Sequence, residues 1–193
     1  MVSLEEVSDL IHYRRSIFPA TYTGELVADT VVHQILTNAN QAPSHRHTEP
    51  WRFHVISGDA RESLADFFQE TYQRLMIGDQ FKEIKFKKLR ANPLKSSHII
   101  ILNMQRCPQE SVPEWEEVAA VACAIQNIYL SVTAAGLGGY WSSPKLLIDQ
   151  IHHYIDMVEG ERCLGFFYIG VPIKEVDLGI IKKPLEEKAK WYR

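Results

Sequence analysis

The sequence predicts a sheet layered with helices, of the α+β or mixed α/β class, and three observations carry that expectation. Segments with apolar residues at helical spacing alternate with short apolar runs of strand length. One of these runs, His98 to Leu102, is unbroken and suits a central strand covered on both faces. The segment from about Glu114 to Ala135 is apolar nearly all the way round, so it requires burial on most sides, in the core or against a second subunit, and a dimer interface is the favoured reading.

The elements follow in order. Ser3 and Glu6 have the spacing of a capping box, and Leu4, Val7, Leu10 and Ile11 continue at helical spacing to about Tyr13. Leu26, Val27, Val31, Ile35, Leu36 and Ala39 mark a second helix that ends before Pro43. Arg52 to Ile56 reads as a strand, and Asp59 as the cap of a third helix whose apolar face is Leu64, Phe67, Phe68, Tyr72 and Leu75. A charged, surface-lying helix is expected from Phe81 to Arg90. After the buried helix, Gly136 to Gly139 supply a turn, and Ser143-Pro144 read as N-cap and N1 of a helix through Leu147, Ile148 and Ile151. Cys163 to Ile169 is a further strand, and an amphipathic tail ends with Trp191 and Tyr192.

A chain of 193 residues with 46% hydrophobic content suits one domain, 1–193, with a sizeable core. The formal charge of −3 gives no global attraction to nucleic acid or anionic lipid, so an anionic ligand needs a local cluster of cations. Lys82, Lys85, Lys87, Lys88 and Arg90 read as a solvated face. Cys107, Cys123 and Cys163 form an odd set without C-x-x-C spacing, which fits a reducing, cytoplasmic setting. There is no signal-peptide pattern, and no stretch is read as apolar for the roughly 18 residues of a membrane span. The motifs of serine hydrolases, P-loop NTPases, zinc proteases and dinucleotide-binding βαβ units are absent. His45-Arg46-His47 and His152-His153 lack nearby Cys or carboxylates at ligand spacing, so no metal site is expected.

Three segments could carry chemistry. Arg14-Arg15-Ser16 follows the first helix, where two guanidinium forks and a hydroxyl suit a phosphate; cations at a helix C-terminus also serve only to complement its dipole. The loop Ala42 to Trp51 is dense in hydrogen-bonding groups between two prolines, and reads either as a ligand loop or as a polar surface loop with Trp51 plugging the core. Gly138 to Ser143 places glycines beside an aromatic ring and two hydroxyls, which suits a flat heteroaromatic ligand or a simple turn with a buried Trp.

In this order and spacing, these segments resemble the nitroreductase family of FMN-dependent flavoproteins. The resemblance spans most of the chain. It also includes Gly165-Phe166-x-Tyr168-Ile169-Gly170-x-Pro172 and the tail Lys182-Lys183-Pro184-Leu185-Glu186-Glu187, while Trp115-Glu116 before the buried helix and Trp141-Ser142-Ser143 after it are similar to the compact YdjA-like branch. The resemblance implies an α+β fold in an intertwined homodimer, with FMN at the subunit interface and residues of both chains around each flavin. It implies electron transfer from NAD(P)H through the flavin to a small acceptor such as a nitroaromatic or quinone, in ping-pong order. A non-catalytic flavin-binding or sensor protein of the same fold is the alternative.

By position, the resemblance implies that Arg14, Arg15 and Ser16 hold the phosphate and ribityl chain, with Lys183, and Lys182 beside it, approaching the phosphate from the tail. Gln41, His45 and His47 would flank the isoalloxazine or ribityl region, and Trp141, Ser142 and Ser143 would lie along the cofactor. No catalytic acid or base is implied, since a flavin carries the redox chemistry. His47 stands where many members have Asn, Glu49 where they usually have Gln, and the tail lysines where many have Arg, a point charge in place of a fork. Leu75 to Asn92 is the segment expected to select the acceptor.

Overall fold

Ser3 opens the first helix as its spacing predicts. Its hydroxyl accepts from the Glu6 N–H at 3.1 Å, and the Glu6 carboxylate accepts from the Ser3 N–H at 2.7 Å, a reciprocal cap for α1 (Leu4–Tyr13). The computed structural model describes residues 2–109, 111–174 and 182–193. The order continues with α2 (Asp29–Ala39), β1 (Trp51–Ile56), α3 (Ala60–Leu75), α4 (Glu83–Lys95), β2 (His98–Gln105), α5 (Glu114–Ala134), β3 (Gly138–Ser142), α6 (Lys145–Ile148) and β4 (Glu161–Gly170). The four strands form one antiparallel sheet in the order β1-β2-β4-β3, an α+β arrangement with β2 and β4 inside.

Both faces of the sheet are covered, which explains why β2 and β4 read as unbroken apolar runs. On β2 the side chains alternate. Ile99 and Ile101 join Leu64 and Phe68 of α3 with Phe166 and Tyr168 of β4. Ile100, Leu102 and Met104 join Ile125 and Ile128 of α5, Ile35 of α2, and Phe167 and Ile169 of β4. Each fully buried aliphatic side chain contributes about 1.5–3 kcal/mol. Phe68 meets Phe166 edge-on at 4.9 Å on one face, and Tyr129 meets Phe167 edge-on at 4.7 Å on the other.

Several expectations are corrected. Gly138 to Ser142 form a strand paired with β4, not a turn into a helix. The glycines are needed there because neighbours crowd them: a Cβ on Gly138 would lie 2.5 Å from the Tyr22 ring, and one on Gly139 would lie 2.8 Å from Phe167 and Val132. The helix expected from Ser143 is the single turn α6, preceded by Pro144 without a side-chain cap, and Ile151–His153 is a separate 3₁₀ turn. Asp59 sits at the N-cap of α3 but makes no side-chain capping bond, its backbone already being helical. Finally, α5 does reach the length and mean hydropathy of a membrane span, at 1.3 over an 18-residue window, of which 44% is buried inside the fold.

Leu26 and Val27 precede α2. Leu26 is exposed, and the Val27 N–H donates to Ser97 Oγ at 2.7 Å, holding this approach to the sheet end. The charged segment forms α4, which extends beyond its expected end to Lys95 and packs on α3 and on the turn Pro19–Thr21.

Candidate functional site

The segment after α1 is tied to the sheet by the Ile17 N–H, which donates to the Gly139 carbonyl at 2.9 Å. Tyr129 of α5 then gathers the neighbouring groups. Its hydroxyl accepts from the Trp141 N–H at 2.8 Å and lies 3.1 Å from Ser16 Oγ, and the Arg14 guanidinium sits over its ring at 5.1 Å. Trp141 is aimed by a bulge in β4. The register slips between Leu102 and Asn103, and the Leu164 carbonyl accepts from the Trp141 indole N–H at 3.2 Å. Gly165 permits this, at φ +132 and with Ser142 O only 2.5 Å from where a Cβ would stand. Ser142 ends β3 half-buried, and Ser143 follows it exposed.

Arg15 turns back to donate to the His12 and Arg14 carbonyls. With Lys174 and Thr133 it lines a cavity of about 390 Å³ that is closed by Tyr13, Leu137 and Pro172. Two cations and a hydroxyl around an otherwise apolar hollow are a donor set suited to a phosphate.

The Ala42–Trp51 loop is built differently. Trp51 does plug the core, at 5% exposure, with its indole N–H donating to Asn40 Oδ1 at 2.8 Å. Between the prolines, however, Arg46 (φ +53), His47 (φ +53) and Glu49 (φ +42) occupy the left-handed region, at a cost of about 1–3 kcal/mol each. Arg52 holds the loop by donating to the Glu49 and Trp51 carbonyls at 2.9 and 2.8 Å, and Ser44 Oγ accepts from the Glu49 N–H at 3.2 Å. His45 Nδ1 meets Glu116 Oε2 of α5 at 2.6 Å. Gln41, His47 and Glu49 are exposed. One residue beyond Glu116, Glu117 has no exposed surface; it pairs with Arg106 and accepts from the Cys107 N–H at 2.9 Å.

The candidate residues therefore fall into two groups. Arg14, Arg15, Ser16, Trp141, Ser142 and Ser143 lie around Tyr129 and β3, whereas His45 and His47 lie at Glu116, with Gln41 just past the end of α2. Along α5, Glu116 and Tyr129 are separated by 13 residues, or about 20 Å of helix. Lys182 and Lys183 are exposed, and the side chain of Lys183 makes no hydrogen bond or ion pair with either group. Sequence reading passed over Tyr129 and Glu117, and took Glu116 only as part of the Trp115-Glu116 motif without a role at His45. Tyr129 is one aromatic in an Ala- and Ile-rich helix, and two carboxylates in a first turn read as complements of the helix dipole.

Comparison with known proteins places these groups in context. A family model described as Nitroreductase family matches residues 11–171. YdjA of Escherichia coli (strain K12), provisionally named an NAD(P)H nitroreductase, is 29% identical over 143 residues, 73% of this chain and 75% of YdjA. The crystal structure of a nitroreductase-like family protein from Bacillus cereus superimposes with a TM-score of 0.82 at 26% identity, covering 100% of this chain and 98% of that one. NfnB of Mycobacterium smegmatis, described as an FMN-dependent nitroreductase in complex with NADPH, superimposes with a TM-score of 0.74 at 18% identity, covering 99% and 100%.

Proposed function

Since the chain belongs to the nitroreductase family, we propose that it is an FMN-dependent oxidoreductase that passes electrons from NAD(P)H to a small organic acceptor such as a nitroaromatic or quinone, and that it works as a homodimer. The observation that carries this reading is the Tyr129 cluster beside the Arg15 and Lys174 cavity, which supplies cations and hydroxyls at the positions where the family motif expects a flavin phosphate and ribityl chain.

Arg14, Arg15 and Ser16 would hold the phosphate end, and Trp141 to Ser143 would lie along the cofactor. His45 and His47 would flank it from the other group, Gln41 from just past the end of α2, and Lys183 would approach from the tail. Bound there, FMN would supply the two-electron chemistry, and the chain's own residues bind, orient and polarise. Ser16 is oriented by Tyr129, and His45 Nδ1 is paired with Glu116. No side chain is required as acid or base.

Two features support the homodimer. One flavin needs both groups, yet within one chain they sit at opposite ends of α5, so two chains placed antiparallel would bring the groups together twice. In addition, α1 buries none of its residues in its own chain: Leu4 is 83% exposed, and Val7 and Ile11 are exposed beside it. An apolar hollow of about 550 Å³ lined by Leu10, Val31, Ile35 and Leu130 lies next to that face, and such surface marks an interface.

The test is an absorbance spectrum of the purified protein with added FMN, before and after anaerobic addition of NADH or NADPH, alongside its mass in solution. Bound flavin bands that bleach, on a particle of two chains, support the proposal. Bands that persist would point to a flavin-binding protein without this activity, and an absence of bound flavin would remove the reading.

A further inference from the structure

The face of α5 that its own chain leaves open carries an internal symmetry. Apart from Glu114 in the first turn and Ala134 in the last, the exposed positions of this helix are Trp115, Ala119, Ala122, Cys123 and Gln126, which recur at helical spacing along one face. No charged residue occurs from Val118 to Ala134, and only 44% of the apolar window is buried inside the fold. Trp115, at 70% exposure, is the large apolar side chain on this face, whereas Ala119, Ala122 and Cys123 are small.

These positions are symmetric about the point between Ala122 and Cys123. Ala119 and Gln126 stand equally far from it, as do Trp115 and Leu130, and so do Glu116 and Tyr129, the residues that gather the two clusters. A two-fold axis at that point, perpendicular to the helix, would lay a second copy antiparallel along the face, with small side chains at the axis letting the backbones approach. It would also bring Trp115 of each chain level with Leu130 of the partner subunit. Leu130 lines the apolar hollow between α1, α2 and α5, together with Leu10, Val31 and Ile35. An uncharged face beside an apolar hollow offers nothing to a charged partner and fits a surface of its own character, which a second copy carries.

We propose that α5 packs against itself about this axis and that Trp115 of each chain fills the hollow of the other. Each seated indole removes roughly 150–250 Å² from water, twice per dimer. This rests on the homodimer of the proposed function and gives it a register. It makes Trp115 a positioning residue, which fixes the Glu116 end of one chain over the Tyr129 end of the other.

Because Trp115 is exposed in its own chain, Trp115→Ala should keep the circular dichroism of the folded protein. Sedimentation equilibrium and subunit exchange should show the dimer weakened about a thousandfold, since a two-fold interface loses each anchor twice. Trp191→Ala, which removes an aromatic residue exposed on the tail, should leave dimerisation as it is. FMN affinity should fall in Trp115→Ala and recover at protein concentrations where the dimer reforms. Cys123 stands within about 1 Å of the axis along the helix. The short cross-linker bis(maleimido)ethane should therefore join two chains in the wild type and in Cys107→Ser but not in Cys123→Ser; Cys163 is buried.

A dimer as tight in Trp115→Ala as in the wild type would overturn the assignment and leave the homodimer standing. Weakening by Trp191→Ala instead would give the hollow to the tail and overturn it likewise. A cross-link that survives Cys123→Ser, or none in the wild type, would overturn the register. A chain that binds FMN as a monomer would overturn both this inference and the homodimer but not the flavoprotein reading.

Discussion

Tyr129 and Glu116 lie on one helix, and each gathers a cluster of candidate residues, but the two ends of α5 are held by different physics. Around Tyr129 the parts are regular elements: an α-helix, a strand, a bulge with its glycine, and the start of a segment tied to the sheet by a backbone bond. Around Glu116 the parts are a turn with three residues in the left-handed region, one carboxylate–imidazole pair and a buried carboxylate beneath. The first end is positioned by packing and the second by strain offset with hydrogen bonds. Under the proposed function, an end that holds the cofactor phosphate suits rigid packing because its ligand is always the same, whereas an end that meets changing substrates gains from being presented on a turn.

Mutations can break or sharpen this contrast. The largest effect is expected from Glu117→Ala, which removes the buried carboxylate that pairs with Arg106 and accepts from the Cys107 N–H; a loss of about 3–5 kcal/mol in denaturant unfolding is expected. A loss below about 1 kcal/mol would show that the loop end does not depend on its buried carboxylate.

Tyr129→Phe comes next. It removes the acceptor for the Trp141 N–H and the partner of Ser16, at about 1–3 kcal/mol of stability, and FMN affinity measured by fluorescence titration should fall roughly tenfold. Unchanged affinity would mean that packing alone positions the Arg14 group.

Glu161, close to the loop end at the start of β4, adds a pH dependence. Burial acts to raise its pKa, but hydrogen bonds from Asn103, His54 and the Val158 N–H outweigh burial and hold it below the usual carboxylate range. Because the folded pKa is depressed, its stabilisation is complete above the unfolded value of about 4.3 and is lost as pH falls through the lowered folded value. Thermal melts from pH 6 downward should therefore show a decline near and below about pH 4 that is smaller in Glu161→Gln. Identical profiles would remove Glu161 as its source.

The smallest effect is expected from Glu116→Gln. Its pair with His45 is half open to solvent, with side-chain exposures of 24% and 56%, so stability should change by less than about 1 kcal/mol. If Glu116 acts by orienting His45, the FMN affinity should shift more than the melting temperature does.

Much of the fold was legible in the sequence, because local rules act on neighbouring residues. The Ser3–Glu6 cap, the apolar run of β2 and the span of α5 all appear where spacing places them. β3 was not legible. Gly138 and Gly139 are poor strand formers by composition, and they are used because Tyr22, Val132 and Phe167 press against them from elsewhere in the chain. The candidate site was legible as motifs but not as an arrangement. The residues of Arg14-Arg15-Ser16 and Trp141-Ser142-Ser143 lie more than a hundred positions apart, and nothing local to either shows that Tyr129 joins them.

By itself the sequence determined the helices, the doubly covered strand, the charge balance and the motifs of the nitroreductase family, since these follow from backbone bonding and apolar periodicity over a few residues. Only the tertiary structure decided that the motifs divide between the two ends of α5, that Arg46 and His47 line one cavity with Cys107, and that Glu117 is buried. Those outcomes depend on which distant side chains exclude water from one another, and that is settled only when the sheet closes between its two helical layers.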